Sequence, residues 1–174
     1  MPGRSVRFAS AARPCAHPLL ALSTTPVLDY DLTLPPTTLS ANFPGLSSAG
    51  LLEPAVYPPH AALTLATSHL PWAVGVIPAD ARRGITVADV LAALYAALRA
   101  NVTSAEFSAL GTQRHMRRAV AAYRRRCERL RGRRAYEEEK AQGMKRVDFL
   151  MGCTKFCGIA PRIGAPGVWT IHIG

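Results

Sequence analysis

The sequence predicts an α+β domain: an antiparallel sheet built from N-terminal and C-terminal strands, packed against a central helical segment. Three observations carry the prediction. Apolar side chains alternate with period two towards both ends, at residues 28–34, 61–77 and 168–173, while the middle of the chain carries stripes of helical period. An apolar share of 49% against 18% charged, over 174 residues, supplies enough hydrophobic material to offset chain entropy and bury a core without staples.

In the first half, Leu28, Tyr30, Leu32 and Leu34 alternate with Asp29, Asp31 and Thr33 as in a half-buried strand, which Pro35-Pro36 stops. Residues 35–60 are so rich in Pro and Gly that they read as a long irregular connection with a short turn of helix, and connections of that length are often mobile or functional. Residues 61–67 and 70–77 read as two strands broken near Ser68-His69, with Leu63, Leu65, Trp72, Val74 and Val76 facing inward. Pro71 and Pro78 confine the second of these to a sheet edge or restrict its hydrogen bonding.

The helices follow. Thr86-x-x-Asp89 resembles a capping box with Asp in place of Glu or Gln, and behind it Val87, Val90, Leu91, Leu94 and Leu98 form one stripe. Thr103-x-x-Glu106 opens a second, shorter helix carrying Phe107 and Leu110, and Ala100-Asn101-Val102 folds the two back on each other. Residues 114–134 hold ten arginines against one acid, Glu128, a formal +9 of the chain's +10. Met116, Val120, Tyr123, Cys127 and Leu130 run along this segment as a narrow apolar seam, leaving the arginines the rest of the circumference. Gly132 weakens the helix, Glu137-Glu138-Glu139-Lys140 extends it as a charge-balanced face, and Gly143 ends it. Strands are expected at 146–151, 154–159 and 168–173, with Trp169, Ile171 and Ile173 sharing one face of the last. Burial of Trp72 and Trp169 contributes about 2–3 kcal/mol each, so Trp169→Ala is expected to destabilise strongly.

Residues 1–13 read as a flexible basic tail and 14–174 as a single α+β domain. The N-terminal residues lack the apolar core of a secretory signal, and the prolines at 2, 14 and 18 oppose a helical presequence, so the expected compartment is intracellular, cytoplasmic or nuclear. No apolar run approaches the roughly 20 residues a membrane span requires. The four cysteines read as reduced thiols, because Cys153-x-x-x-Cys157 has no histidine pair beside it to make a zinc site. Neither metal nor cofactor is expected.

In order along the chain stand His17-Pro18-Leu19-Leu20, Leu28-x-Tyr30-Asp31-Leu32, Pro71-Trp72, Thr86-Val87-x-Asp89-Val90-Leu91, Arg146-Val147-Asp148-Phe149-Leu150-x-Gly152, Phe156-x-Gly158 and Trp169. This order resembles a fungal, mainly basidiomycete, family of domains of unknown function, over residues 15–174. The resemblance implies a compact domain and brings with it no activity, substrate or catalytic residue.

Function must therefore be argued from the residues. A helix presenting Arg117, Arg118, Arg124, Arg125, Arg126, Arg129, Arg133 and Arg134 can be a solvated face, a surface for nucleic acid or another polyanion, or a nuclear import signal. Little aromatic interleaving accompanies it, which places polyanion binding behind the solvated face. Arg4, Val6 and Phe8 fit the R-x-V-x-F pattern that resembles docking peptides of type-one serine/threonine protein phosphatases, whose Val and Phe enter two pockets; a short pattern of this kind also arises by chance in inert tails. His17, His60 and His69 can act as general bases if Asp29 or Asp31 orients them, but each lies beside a proline or at an expected strand edge, where a structural or exposed role comes first. Asp148 reads as the partner of an arginine or the cap of a neighbouring backbone group. No Walker loop, G-x-S-x-G elbow, H-E-x-x-H pair or G-x-G-x-x-G turn is present. The expected function is a non-enzymatic binding or scaffold domain with protein partners, reached through the 35–60 connection, a strand edge or the tail. A polyanion-binding module comes second and an uncharacterised enzyme third; the residues leave oligomeric state open.

Overall fold

The strand chemistry at the two ends of the chain closes into one sheet over a helical layer. In the computed structural model, which describes residues 13–39 and 46–174, the elements run β1 (Cys15–Ala16), β2 (Tyr30–Asp31), a 3₁₀ turn (Pro36–Thr38), α1 (Ser48–Leu51), β3 (Val56–Tyr57), β4 (Leu63–Ala66) and β5 (Val74–Val76). Then come α2 (Val87–Arg99), α3 (Ser104–Ser108), α4 (Gln113–Glu128), α5 (Arg133–Ala141), a second 3₁₀ turn (Arg146–Leu150), β6 (Lys155–Pro161) and β7 (Val168–Ile173). Arg4, Val6 and Phe8 of the phosphatase-type pattern lie outside the described residues.

The main sheet has five strands in the order β2-β6-β7-β4-β5. Its pairings are antiparallel except β4 with β7, which is parallel, with Leu65 opposite Trp169. A parallel pair needs a long crossover, and here the whole helical segment serves as one. β1 and β3 pair separately and antiparallel. A bridge from Ala21 to Ile159 ties the N-terminal segment to β6. At that crossing a Cβ on Gly158 would lie 2.6 Å from the backbone N and Cα of Leu22, and φ is +123°, so only glycine fits.

Alternation decides what the sheet buries. Leu63 and Leu65 in β4, Val74 and Val76 in β5, and Trp169 and Ile171 in β7 are all buried, and β5 is the edge that its flanking prolines allow. The strand expected over 28–34 is shorter than its pattern: Leu28, Tyr30 and Leu32 are buried, but the ladder covers only Tyr30–Asp31 and Leu34 is 42% exposed. Tyr30 donates its hydroxyl to the carbonyl of Leu34 at 2.8 Å, curling the chain away from the sheet.

α2 is the main helix on this core. Both reciprocal bonds of its capping box form, and Val87, Val90, Leu91, Leu94 and Leu98 are its buried residues. α3 repeats the device with Thr103 and Glu106. The 35–60 connection is more ordered than its breakers suggest. Ala55 and Val56 are buried, the Ala55 amide donates to the Ile85 carbonyl, and the Val87 amide donates to the Glu53 carbonyl, so this stretch is stitched to the start of α2.

The expected strand at 146–151 is instead the second 3₁₀ turn. Its residues Val147, Asp148, Phe149 and Leu150 are buried consecutively, which a strand with one wet face would not allow. Both α2 and α4 pack on this turn, making it the hub between the sheet core and the arginine-rich helix.

Candidate binding site: an arginine clasp between two basic surfaces

The arginine-rich segment forms two helices, α4 and α5, because Gly132 adopts a φ of +98° between them. Thr112 caps α4 by accepting from the His115 amide at 3.2 Å. α4 buries only part of the seam read from its apolar residues. Ala119 and Cys127 are buried, Met116, Val120 and Tyr123 are half-buried, and Leu130 is 40% exposed. The inward face instead passes through Ala119 and Arg126.

Arg126 reaches inward because carboxylates wait for it. Its Nε donates to Asp148 Oδ1 at 2.8 Å and its Nη2 to Asp148 Oδ2 at 2.9 Å, a bidentate pair. Its Nη1 donates to Glu139 of α5, and its Nη2 also reaches the Gly143 carbonyl at 3.2 Å. Asp148 is 2% exposed and takes a further hydrogen bond from the Lys145 amide at 2.9 Å, so it pairs with an arginine and caps the 3₁₀ turn at once. Arg99 at the end of α2 also approaches Glu139, at 3.4 Å. Burial alone would lower the Arg126 pKa, but its hydrogen bonds to Asp148 and the charges on Asp148 and Glu139 hold it above the ordinary arginine value. Arg126 is therefore a structural clasp joining α4, α5 and the 3₁₀ hub, and it leaves the set of exposed arginines expected to meet a polyanion.

A second polar junction lies nearby. Arg146 donates from Nε to Glu106 Oε1 at 3.0 Å, and its guanidinium sits 4.8 Å from the Trp72 ring centroid. The Trp72 ring in turn lies 5.5 Å from that of Phe149. The Arg146 hydrogen bond, followed by that of the Thr103 amide, holds the Glu106 carboxyl below its usual range.

With Arg126 committed, the other arginines divide between two surfaces. The helical repeat puts Gln113, Met116, Arg117, Val120 and Arg124 on one flank of α4 and Ala122, Arg125, Arg126 and Arg129 on the other. On the first flank is a groove of about 760 Å³, floored by Phe107, Met116 and Val120 and rimmed by Arg117, Arg124, Arg125 and Glu128. On the second is a cavity of about 130 Å³, lined by Arg125, Arg126, Arg129, Asp148, Thr33, Gly152 and Thr154 among others. Arg118 faces a separate hollow with His69 and His115. Arg133 and Arg134 lie exposed on α5, where Arg134 pairs with Glu138 at 2.8 Å. The eight arginines thus do not form one continuous patch.

The histidine and acid combinations do not assemble. Asp29 pairs with Lys155 at 2.9 Å and Asp31 with the Thr33 hydroxyl at 2.8 Å. His17 meets Glu53 instead, at 3.0 Å, with the Leu19 amide donating to its Nδ1, which leaves Nε2 as the proton-bearing nitrogen that donates to Glu53. His69 contacts Thr67. The four cysteines are free thiols, and burial pushes Cys127 up. Among the described residues no three His, Cys, Asp or Glu stand together as metal ligands, and no helix is long and apolar enough to cross a membrane.

No curated protein and no solved structure matches the chain. A family model does, over residues 28–167, a stretch that holds Arg126, Glu139, Asp148 and both basic surfaces. The chain accordingly belongs to the family of unknown function DUF6699.

Proposed function

We propose that this chain is a non-enzymatic intracellular binding domain of a fungal family, and that its partner is a protein whose acidic, apolar segment lies in the groove along α4. The carrying observation is the composition of that groove: half-buried Phe107, Met116 and Val120 form its floor, while Arg117, Arg124 and Arg125 stand on its rim against the single acid Glu128. An apolar floor gains from burying apolar side chains, and a rim with three arginines selects an acidic border around them. Nucleic acid would need exposed rings to stack on, but the Tyr123 hydroxyl is engaged with the Lys140 carbonyl at 2.9 Å and Phe107 is half-buried. The geometry is that of a groove for an amphipathic segment read at helical spacing.

The second reading, a polyanion-binding module, rests on the exposure of Arg117, Arg118, Arg124, Arg125, Arg129, Arg133 and Arg134, of which only Arg134 pairs with a carboxylate among the described residues. One titration separates the two. A labelled helical peptide with Leu on one face and Glu on the other, and heparin in parallel, are titrated from about 50 to 200 mM salt, across which phosphate-type contacts lose several orders of magnitude. Peptide binding that persists at high salt and disappears in Met116→Glu supports the groove. Heparin binding with a steep salt slope and no response to Met116→Glu overturns it in favour of the polyanion module.

A further inference from the structure

We propose that the small cavity on the other flank of α4 is a binding site for one phosphate monoester group, held by Arg125 and Arg129. This inference does not rest on the groove, although Arg125 borders both hollows.

Its first support is uncompensated charge. Among the described residues neither Arg125 nor Arg129 meets a carboxylate, whereas Arg126, the third arginine of the lining, is neutralised by Asp148 and Glu139. Asp148 has both oxygens engaged by Arg126 and one of them also by the Lys145 amide, so it is not available to pair with Arg125 or Arg129. Cations in the last turn of a helix are favoured by its dipole, which accounts for arginines there but not for two of them lining the same hollow.

Size gives the second support. A volume of about 130 Å³ holds on the order of four waters, which is room for a tetrahedral oxyanion. Two planar guanidinium groups suit the oxygens of a phosphoryl group better than a single carboxylate would.

The third support is the backbone of the opposite wall. Gly152 in that wall has φ 100°, a conformation that glycine adopts without strain. A Cβ on Gly152 would sit 3.5 Å from Arg125 Nη2, so its absence leaves the mouth open beside that guanidinium. The Thr154 hydroxyl in the same lining has no hydrogen-bond partner among the described residues, whereas that of Thr33 is donated to Asp31.

The test is an amide NMR titration of the intact chain with inorganic phosphate. Shifts are expected at Thr33, Gly152 and Thr154. Arg125→Gln and Arg129→Gln should each weaken binding roughly tenfold, as loss of one charge-assisted pair predicts, while Arg117→Gln and Met116→Glu on the groove leave it within about twofold. Because the second phosphate ionisation lies near 6, affinity should rise several-fold between about pH 5.5 and 7.5. Both arginines are exposed, and unshifted resonances elsewhere will show that the variants fold. A phosphoserine peptide that binds more tightly than inorganic phosphate, with the same dependence on Arg129, identifies a phosphorylated protein as the source; equal affinities identify a small phosphate ester. Shifts spread along α4 and weakened as much by Arg117→Gln, or no saturable shift at all, overturn the site.

Discussion

The sheet with α2 and the layer of α4 with α5 are joined at one 3₁₀ turn, yet they are held by different forces. The first is an apolar core in which Trp169, Leu65, Leu91 and Leu94 are fully or almost fully buried. The second presents few buried apolar side chains, Ala119 and Cys127 in α4 and none in α5, and is fastened by Arg126 gripping Asp148 and Glu139. Apolar burial is non-directional and tolerates repacking, whereas an ion pair taken out of water depends on every partner staying in place. The layer carrying the candidate binding surfaces is thus attached by few, specific interactions.

The contrast can be broken from either side. Trp169 is 1% exposed in β7, the central strand, opposite Leu65, and Trp169→Ala should cost towards the upper end of the roughly 3–5 kcal/mol seen for such truncations, read by urea unfolding. Unfolding should remain a single transition, because the whole core is lost together. A cost below about 1 kcal/mol would mean that β7 is not the centre of the sheet.

Arg126→Met tests the other side. It leaves Asp148 buried without its partner, at roughly 3 kcal/mol, the lower end for a broken buried pair because Glu139 keeps Arg99. Combining it with Asp148→Asn removes the stranded charge while keeping an acceptor for the Lys145 amide, so the double variant should recover much of the loss. Additive single and double losses would deny the clasp its coupling. Selective loss of amide-exchange protection in α4 and α5, with α2 unchanged, would show that the clasp fastens the outer layer alone.

These two regions also differ in how far the sequence revealed them. The α2 stripe and both capping boxes are local patterns that the fold keeps, because each is satisfied within its own helix or by the core directly under it. Asp148 was legible as an arginine partner or a cap, and it is both. Which arginine it takes was not legible, since Arg126 differs from Arg124 and Arg125 only in where the helix turns it. The seam from Met116 to Leu130 holds only in part for the same reason: Cys127 is buried and Leu130 is not, while a charge with two carboxylates turns Arg126 inward beside it. Residues 146–151 read as a strand because Val147 and Phe149 flank the polar Asp148, and only tertiary burial of all four residues Val147 to Leu150 separates that pattern from a 3₁₀ turn. The parallel pairing of β4 with β7 joins residues about a hundred positions apart, and no local signal encodes it.

A smaller effect sharpens the comparison at the helix starts. Thr86→Ala removes the hydroxyl that accepts from the Asp89 amide at 3.2 Å and should cost about 1 kcal/mol, felt by the apolar core because Val87 and Val90 follow directly. Thr103→Ala at exposed α3 should cost less than Thr86→Ala in the same thermal unfolding experiment, since α3 has no buried residues. Equal losses would mean that capping energy is insensitive to what the helix packs against.

The smallest effect is a pH dependence. Glu106 is held below its usual carboxylate range first by the Arg146 hydrogen bond and then by that of the Thr103 amide. A carboxyl whose folded pKa is depressed binds fewer protons folded than unfolded, so its stabilisation is complete above the unfolded value, near 4.3, and is lost as pH falls through the lower folded one. Glu106→Gln should therefore flatten the acid side of the stability curve below about pH 4.3 and lower the plateau above it, with the two proteins converging in acid. Because Arg146 also stacks on Trp72 beside Phe149, that loss loosens the edge of the apolar core rather than the clasp. Acid should then expose Trp72 in the wild-type chain, read as a Trp fluorescence change that Glu106→Gln already shows at neutral pH, and fluorescence that stays unchanged in acid and in the variant would uncouple Glu106 from the edge of the core.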